Sequence, residues 1–267
     1  MAFWIGRNYG CPGFSAGGRA LVLALFLALG LCFHGGVFAA QEVQVAVAAN
    51  FTAPAKKIAE AFQEASGHRI IFSFESTGKL YGRIARGEPF AAFLAANEET
   101  PRRAIQDGFA VEGTDFTYAF GRIVLYSAVE GYVDQGEEVL KAGDFNRLVM
   151  ANPTVAPYGV ASMEVLERLN VADKLQPKIL RGDTVSKTLQ FISSGAADLG
   201  FVALSQVVGR KSGSVWEVPT EFYSPIRQGA VLLKAGEGNA AAMAFLDFLK
   251  GPESRRIMAT FGYGEPD

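Results

Sequence analysis

The chain has 267 residues, 19% of them charged and 49% hydrophobic, with 25 Lys and Arg against 27 Asp and Glu. That length holds one large or two modest domains, and a net charge of −2 argues against the basic surface a nucleic-acid partner demands. Two cysteines (Cys11, Cys32) and two histidines (His34, His68) are too few for a thiolate or multi-imidazole metal centre or for a histidine-based triad.

The first forty residues stand apart. Arg7 and Arg19 are their only charges, an apolar run extends from Ala20 to Phe33, and Val37-Phe38-Ala39-Ala40 follows. A basic n-region, an h-region and small residues at the cut make a signal peptide over 1–40, cleaved after Ala39 or Ala40. A membrane-crossing helix needs roughly twenty apolar residues, and no later run approaches that, so the exported chain is expected in the periplasm without membrane insertion. Lipid attachment at Cys32 is the alternative, but Leu31 precedes it where a small residue is wanted. Cleavage removes both cysteines, leaves a net charge near −4, and spares only His68, expected as a solvated turn residue after Gly67. Stability must then come from a large core.

Beyond residue 40, short β-rich runs alternate with amphipathic helices, the pattern of parallel sheets covered on both faces. Val43 to Ala48 predicts a strand, and Thr52 to Ser66 a helix with Ile58, Phe62 and Ala65 on one face, stopped by Gly67. Arg69 to Phe74 and Ala91 to Ala95 are further strands; Thr77 to Arg86 and Thr100 to Gln106 are helices. A second series begins near Arg122, with strands at 123–127, 148–151 and 199–203 and helices at 160–169 and 185–194. A strand at 228–234 and helices at 240–249 and 253–261 close the chain. No internal repeat or low-complexity linker interrupts it.

Four strand-to-helix turns carry small or hydroxyl residues: Ala49-Asn50-Phe51-Thr52, Glu75-Ser76-Thr77-Gly78, Ala156-Pro157-Tyr158-Gly159 and Gly182-Asp183-Thr184-Val185. A helix start leaves N–H groups unpaired and carries a partial positive charge. In open α/β sheets such turns lie at the carboxyl ends of the strands, where ligands bind. Converging turns would wrap an anion in neutral donors without Lys or Arg. Taken singly, each Ser, Thr, Asn or Asp is equally well read as an ordinary N-cap worth about 1 kcal/mol to its own helix.

The segments Ala48-Ala49-Asn50-Phe51, Phe74-Glu75-Ser76-Thr77-Gly78-Lys79-Leu80-Tyr81, Ala156-Pro157-Tyr158-Gly159, 194–204 (Ser-Gly-Ala-Ala-Asp-Leu-Gly-Phe-Val-Ala-Leu) and Leu249-Lys250-Gly251-Pro252-Glu253 together resemble the periplasmic molybdate-binding protein family. The resemblance spans nearly all of the chain after residue 40. It implies a two-lobed periplasmic-binding-protein fold of type II, each lobe a mostly parallel sheet flanked by helices and the two joined by a two-strand hinge. Lobe 1 would comprise 41–122 plus 229–267, and lobe 2 would comprise 123–228. It also implies molybdate or tungstate as a cleft-bound ligand, with no other cofactor and no metal cation, and a monomer that delivers to the permease subunits of an ABC transporter. The implied contacts are Asn50, with the backbone near Ala49 and its side-chain amide as a further donor; Thr77 with Ser76; Tyr158; and the backbone N–H of Val185.

Three departures from the family pattern stand out. Ala91-Ala92-Phe93 lacks an acidic residue common before the phenylalanine, and Asn97 replaces a common aspartate. Glu75 sits where a small residue is usual; pointing inward it would repel a dianion, so it is expected to face solvent. Competing readings are a receptor for sulfate, phosphate or an organic acid on the same architecture, a hydrolase or transferase using Ser76 or Asp183, and a sensing module. An organic-acid site wants an Arg clamp, which none of the four turns carries. A hydrolase wants an activating base that neither His68 nor a cysteine supplies.

Overall fold

The computed structural model describes residues 40–266, apart from the isolated Gly6 and Gly10, so the expected signal peptide lies outside the described residues. β1 (Glu42–Ala48) is flanked by two parallel neighbours, β2 (Arg69–Glu75) and β3 (Ala92–Leu94). A strand covered on both faces needs a continuous apolar run, and Val45, Ala46, Val47 and Ala48 are all buried. α1 (Thr52–Ser66) buries Ala55, Ile58 and Phe62. It ends where Gly67, at φ 74°, donates its N–H to Gln63 O at 2.8 Å, a left-handed cap that favours glycine. α2 (Thr77–Ala85) and α3 (Glu99–Gln106) follow β2 and β3.

The chain then runs through β4 (Phe116–Gly121) straight into β5 (Ile123–Ser127), with Arg122 alone between them. The second series continues with α4 (Glu137–Ala142), β6 (Leu148–Ala151), α5 (Pro157–Arg168), α6 (Ala172–Leu175), β7 (Ile179–Gly182), α7 (Val185–Ser193), β8 (Leu199–Ala203) and β9 (Ser214–Glu217). β10 (Ile226–Leu232), α8 (Ala240–Lys250) and α9 (Pro252–Thr260) return to the first sheet.

Two five-stranded sheets result, ordered β2-β1-β3-β10-β4 and β7-β6-β8-β5-β9. Each is a parallel triplet extended by two antiparallel strands, and the two orders match position for position. The chain crosses between sheets twice, at Arg122 and between Glu217 and Ile226, which makes the two-strand link expected of this fold. One core lies between β1, α1, α8 and α9 around Phe51, Phe62 and Phe245, and another around Leu148, Leu166, Leu199 and Phe201 in the second lobe.

Several elements differ from the sequence expectation. β4, β7, β9, α4 and α6 have no counterpart in that expectation, each being four to six residues long; α4 and α6 are shorter than two helical turns and show no helical repeat, and the strands are fixed by pairing within their sheets. α5 begins three residues earlier than expected because Pro157 occupies its first turn, where a preset φ and a missing N–H cost nothing. β10 begins at Ile226 rather than Gln228, which places Gln228 inside the strand. The alanines at 91 and 92 fill tightly packed space with Phe93, and Asn97 accepts the Thr100 N–H at 3.4 Å ahead of α3.

α5 lies so close to the end of β6 that a Cβ at Gly159 would meet Ala151 O at 2.3 Å and Pro153 N at 2.7 Å, both backbone atoms. Gly159→Ala is therefore expected to destabilise the fold by about 1–3 kcal/mol, read as a lower urea midpoint; an unchanged midpoint would show that the helix can move away without cost.

Candidate functional site

The four turns singled out in the sequence follow β1, β2, β6 and β7, which are the equivalent strand pairs of the two sheets. Their carboxyl ends meet at one small, nearly closed hollow, a cavity of about 10 Å³, lined by Asn50, Ser76, Thr77, Tyr158 and Val185 together with alanines 48, 49, 96 and 156, Pro157 and Thr184. All five residues picked from sequence thus face a common space. No side chain in that lining carries a charge. A wider cleft adjoins it along Gly78, Val155, Pro157 and Ile226.

Local geometry separates ordinary capping from something else. Thr184 is a working N-cap, its hydroxyl accepting the Lys187 N–H at 3.0 Å. Ser76, at the N-cap of α2, makes no capping bond, and its hydroxyl is buried without a partner. The turn before α1 and the start of α5 also lack side-chain caps. Tyr158, 2% exposed, likewise has a buried hydroxyl with no partner. Buried polar atoms are nearly always paired, so two orphaned hydroxyls from opposite lobes on one hollow mark a place built for something other than packing.

The remaining residues have defined duties. Thr77 Oγ1 accepts the Ala96 N–H at 3.0 Å, which ties α2 to the end of β3. Val185 is the first residue of α7 and is buried. The Asn50 side-chain amide does not serve the hollow: it donates to Gln228 Oε1 at 2.6 Å and to Tyr263 Oη at 3.0 Å, so the expectation of a side-chain donor there is corrected. Glu75 also turns aside, pairing with Arg83 at 2.8 Å and remaining partly exposed.

Sequence reading missed the layer beneath the hollow. Tyr263 donates to Asn50 O at 2.9 Å, Ser205 donates to the same oxygen at 2.8 Å, and Tyr118 reaches Gln228 Oε1 and Ala95 O at 3.1 Å each. These residues come from β4, β10, the turn after β8 and the C-terminal segment, and nothing in their spacing announces a shared centre. Burial pushes the hydroxyls of Tyr118, Tyr158 and Tyr263 above the ordinary tyrosine value of 10.0, so all three stay protonated donors at neutral pH. At the rim the lobes touch through Gly78 N–H to Val155 O at 2.9 Å, Ser186 Oγ–H to Ala49 O at 3.3 Å and an ion pair of Lys79 with Asp183 at 2.7 Å. His68 is only half-buried and accepts the Gln41 N–H at 3.3 Å, in a turn rather than at the site. Among the described residues, no group of three or more His, Cys, Asp or Glu side chains could hold a metal ion.

Residues 43–264 match the family model described as bacterial extracellular solute-binding protein. The molybdate-binding protein ModA of Rhodobacter capsulatus is 46% identical over 245 residues, 92% of this chain and 96% of the relative. Its counterpart in Azotobacter vinelandii is 47% identical over 243 residues, 90% of this chain and 96% of the relative. The solved Azotobacter vinelandii periplasmic molybdate-binding protein superposes with a TM-score of 0.81 and 38% identity, covering 84% of this chain and all of that one. With most of its length matched at this level, the chain belongs to the bacterial extracellular solute-binding proteins, among the molybdate-binding ModA proteins.

Proposed function

We propose that this chain captures molybdate or tungstate in the periplasm and hands it to the permease of an ABC-type uptake transporter. The observation that carries the reading is the pair of unpartnered hydroxyls, Ser76 from one lobe and Tyr158 from the other, on a hollow without charged lining. The names of the ModA relatives support the choice of oxyanion.

A dianion leaves water only where donors replace its hydration, because an unpaired buried charge costs many kcal/mol. Each charge-assisted hydrogen bond returns roughly 1.5–3 kcal/mol. Ser76 and Tyr158 supply two hydroxyl protons. Thr77, its oxygen already accepting from Ala96, has its own proton to give. The starts of α2, α5 and α7 add backbone N–H groups and the positive ends of their dipoles. One lobe alone offers half of this set, so tight binding goes with closure of the two lobes over the guest. Backbone N–H groups cannot accept, and hydroxyls that spend their one proton on the guest favour a fully deprotonated oxyanion; the charge-free lining suits a protein that carries net negative charge itself.

The chain acts as a carrier rather than an enzyme, works as a monomer outside the transporter, and needs no cofactor. The signal peptide directs export and is then cleaved; no helix among the described residues is long and apolar enough to cross a membrane. Against a hydrolytic role, Ser76 Oγ has no base bonded to it, and Asp183 is engaged by Lys79.

Competition calorimetry on the mature chain is expected to give tight, mutually exclusive binding of molybdate and tungstate with sulfate and phosphate far weaker; equal affinity for phosphate would defeat the assignment. Removing an orphaned hydroxyl should separate stability from binding. Ser76→Ala and Tyr158→Phe are each expected to leave the ligand-free protein as stable or up to about 1–3 kcal/mol more stable, while weakening molybdate by roughly ten- to a hundredfold. A loss of stability with unchanged affinity would make both hydroxyls structural. The buried tyrosines also set a pH dependence. Above about pH 10 the unfolded chain sheds phenolic protons that the folded protein retains, so stability falls as pH rises. The urea midpoint is expected to drop between about pH 10 and 11, less steeply in Tyr158→Phe; identical slopes would contradict the raised Tyr158 value.

A further inference from the structure

Gly78 is the second residue of α2, directly after Thr77. Its φ is not positive, so the backbone there asks for no glycine, and a glycine inside a helix is less favourable than alanine. What the residue faces is the other lobe. Its N–H, one of the early donors that have no partner in their own helix, donates to Val155 O at 2.9 Å. A Cβ at this position would stand 3.1 Å from Val155 Cα, 3.2 Å from Val155 O and 3.3 Å from Val155 Cβ. Carbon atoms pack best at about 3.5–4.0 Å. Two of those three atoms are backbone, so a side chain here would push the lobes apart by a few tenths of an ångström.

The contact sits where the hollow meets the wider cleft. Thr77, Ala156 and Pro157 line both spaces, whereas Gly78 and Val155 line the cleft alone. The other rim contacts tolerate small shifts. Lys79 and Asp183 pair through side chains that are 41% and 70% exposed, and such a pair contributes little and adapts readily. Ser186 reaches Ala49 O at 3.3 Å through a hydroxyl that rotates to suit. Gly78 and Val155 instead meet backbone to backbone, and neither can retreat without moving the helix start or the turn that carries it.

We infer that Gly78 sets how far the two lobes close over the oxyanion: its missing side chain lets the start of α2 reach the turn before α5, and the bond to Val155 O then holds the hollow shut. Gly78 itself donates nothing to the guest. This rests on the oxyanion reading, because the closing distance matters only to a guest shared between Ser76 and Tyr158. Holding the lobes apart lengthens the bonds from one lobe all at once, and a hydrogen bond is lost about half an ångström beyond its ordinary length. Entry takes place with the lobes open, so the effect falls on dissociation.

The test uses the mature chain with Gly78→Ala and Gly78→Val. Binding of sodium molybdate is read by calorimetry and stopped-flow fluorescence, closure by small-angle X-ray scattering with and without molybdate, and ligand-free stability by urea unfolding. Alanine is expected to weaken molybdate about fivefold and valine at least about twentyfold, with faster dissociation at an unchanged association rate. Compaction on adding molybdate shrinks in the same order. The urea midpoint of ligand-free Gly78→Ala holds or rises, alanine being the better helix former. Affinity within about twofold of wild type in both variants overturns the inference. So does a loss that comes from slower association, or one accompanied by a lowered urea midpoint in Gly78→Ala, which would make the glycine structural. Wild-type protein that takes up neither molybdate nor tungstate overturns the oxyanion reading and this inference with it, whereas wild-type binding with unaltered variants overturns the inference alone.

Discussion

Keeping a hydroxyl dry and unpaired costs about 1–3 kcal/mol, and this fold does so twice at one point, at Ser76 and Tyr158. The surrounding structure has to hold that cost. It does so by placing each hydroxyl at the start of a helix whose strand is fixed in a parallel triplet, and by stationing hydrogen-bonded side chains directly beneath. Asn50 is the junction: its amide holds Gln228, and its carbonyl receives Tyr263 and Ser205. A packed apolar floor would leave the lobes free to slip against each other, whereas directional bonds from both lobes to one residue fix their register.

Much of this was legible in the residues themselves. The parallel sheets followed from Val43 to Ala48 and its counterparts, because a strand buried on both faces cannot hide its composition. The helix boundaries were legible because Gly67 at an end and the small residues of the turns at the starts leave few alternatives. Sequence could not choose between capping and ligand contact for Ser76, since both want a short hydroxyl at the same place; only the absence of a capping bond separates them. The resemblance implies the Asn50 amide at the hollow, whereas it is occupied from behind by partners 178 and 213 residues away. Short elements such as β9 and α4 left no periodic trace, and the Tyr118, Ser205, Gln228 and Tyr263 layer is assembled by topology from four separate stretches.

Charge is managed by distance. Glu75, the one carboxylate next to the contact residues in sequence, is drawn off by Arg83 on the following helix. Lys79 and Asp183 neutralise each other at the rim, where solvent weakens the pair, so they steer the lobes together without adding a fixed charge to the interior. Selectivity then rests on the count and direction of neutral donors and on the dimensions of the space they enclose.

One crossing between the sheets consists of Arg122 alone, whereas the other spans the eight or so residues after Glu217. A connection that short behaves as a pivot: it permits rotation about itself but little translation. Groups near it travel least, Tyr118, Gln228 and the Tyr158 hydroxyl against Gly121 among them, whereas opening has to separate the rim pairs Gly78 with Val155 and Lys79 with Asp183. An angular opening therefore breaks the rim and floods the hollow from its mouth, while the floor stays assembled and ready for the next guest.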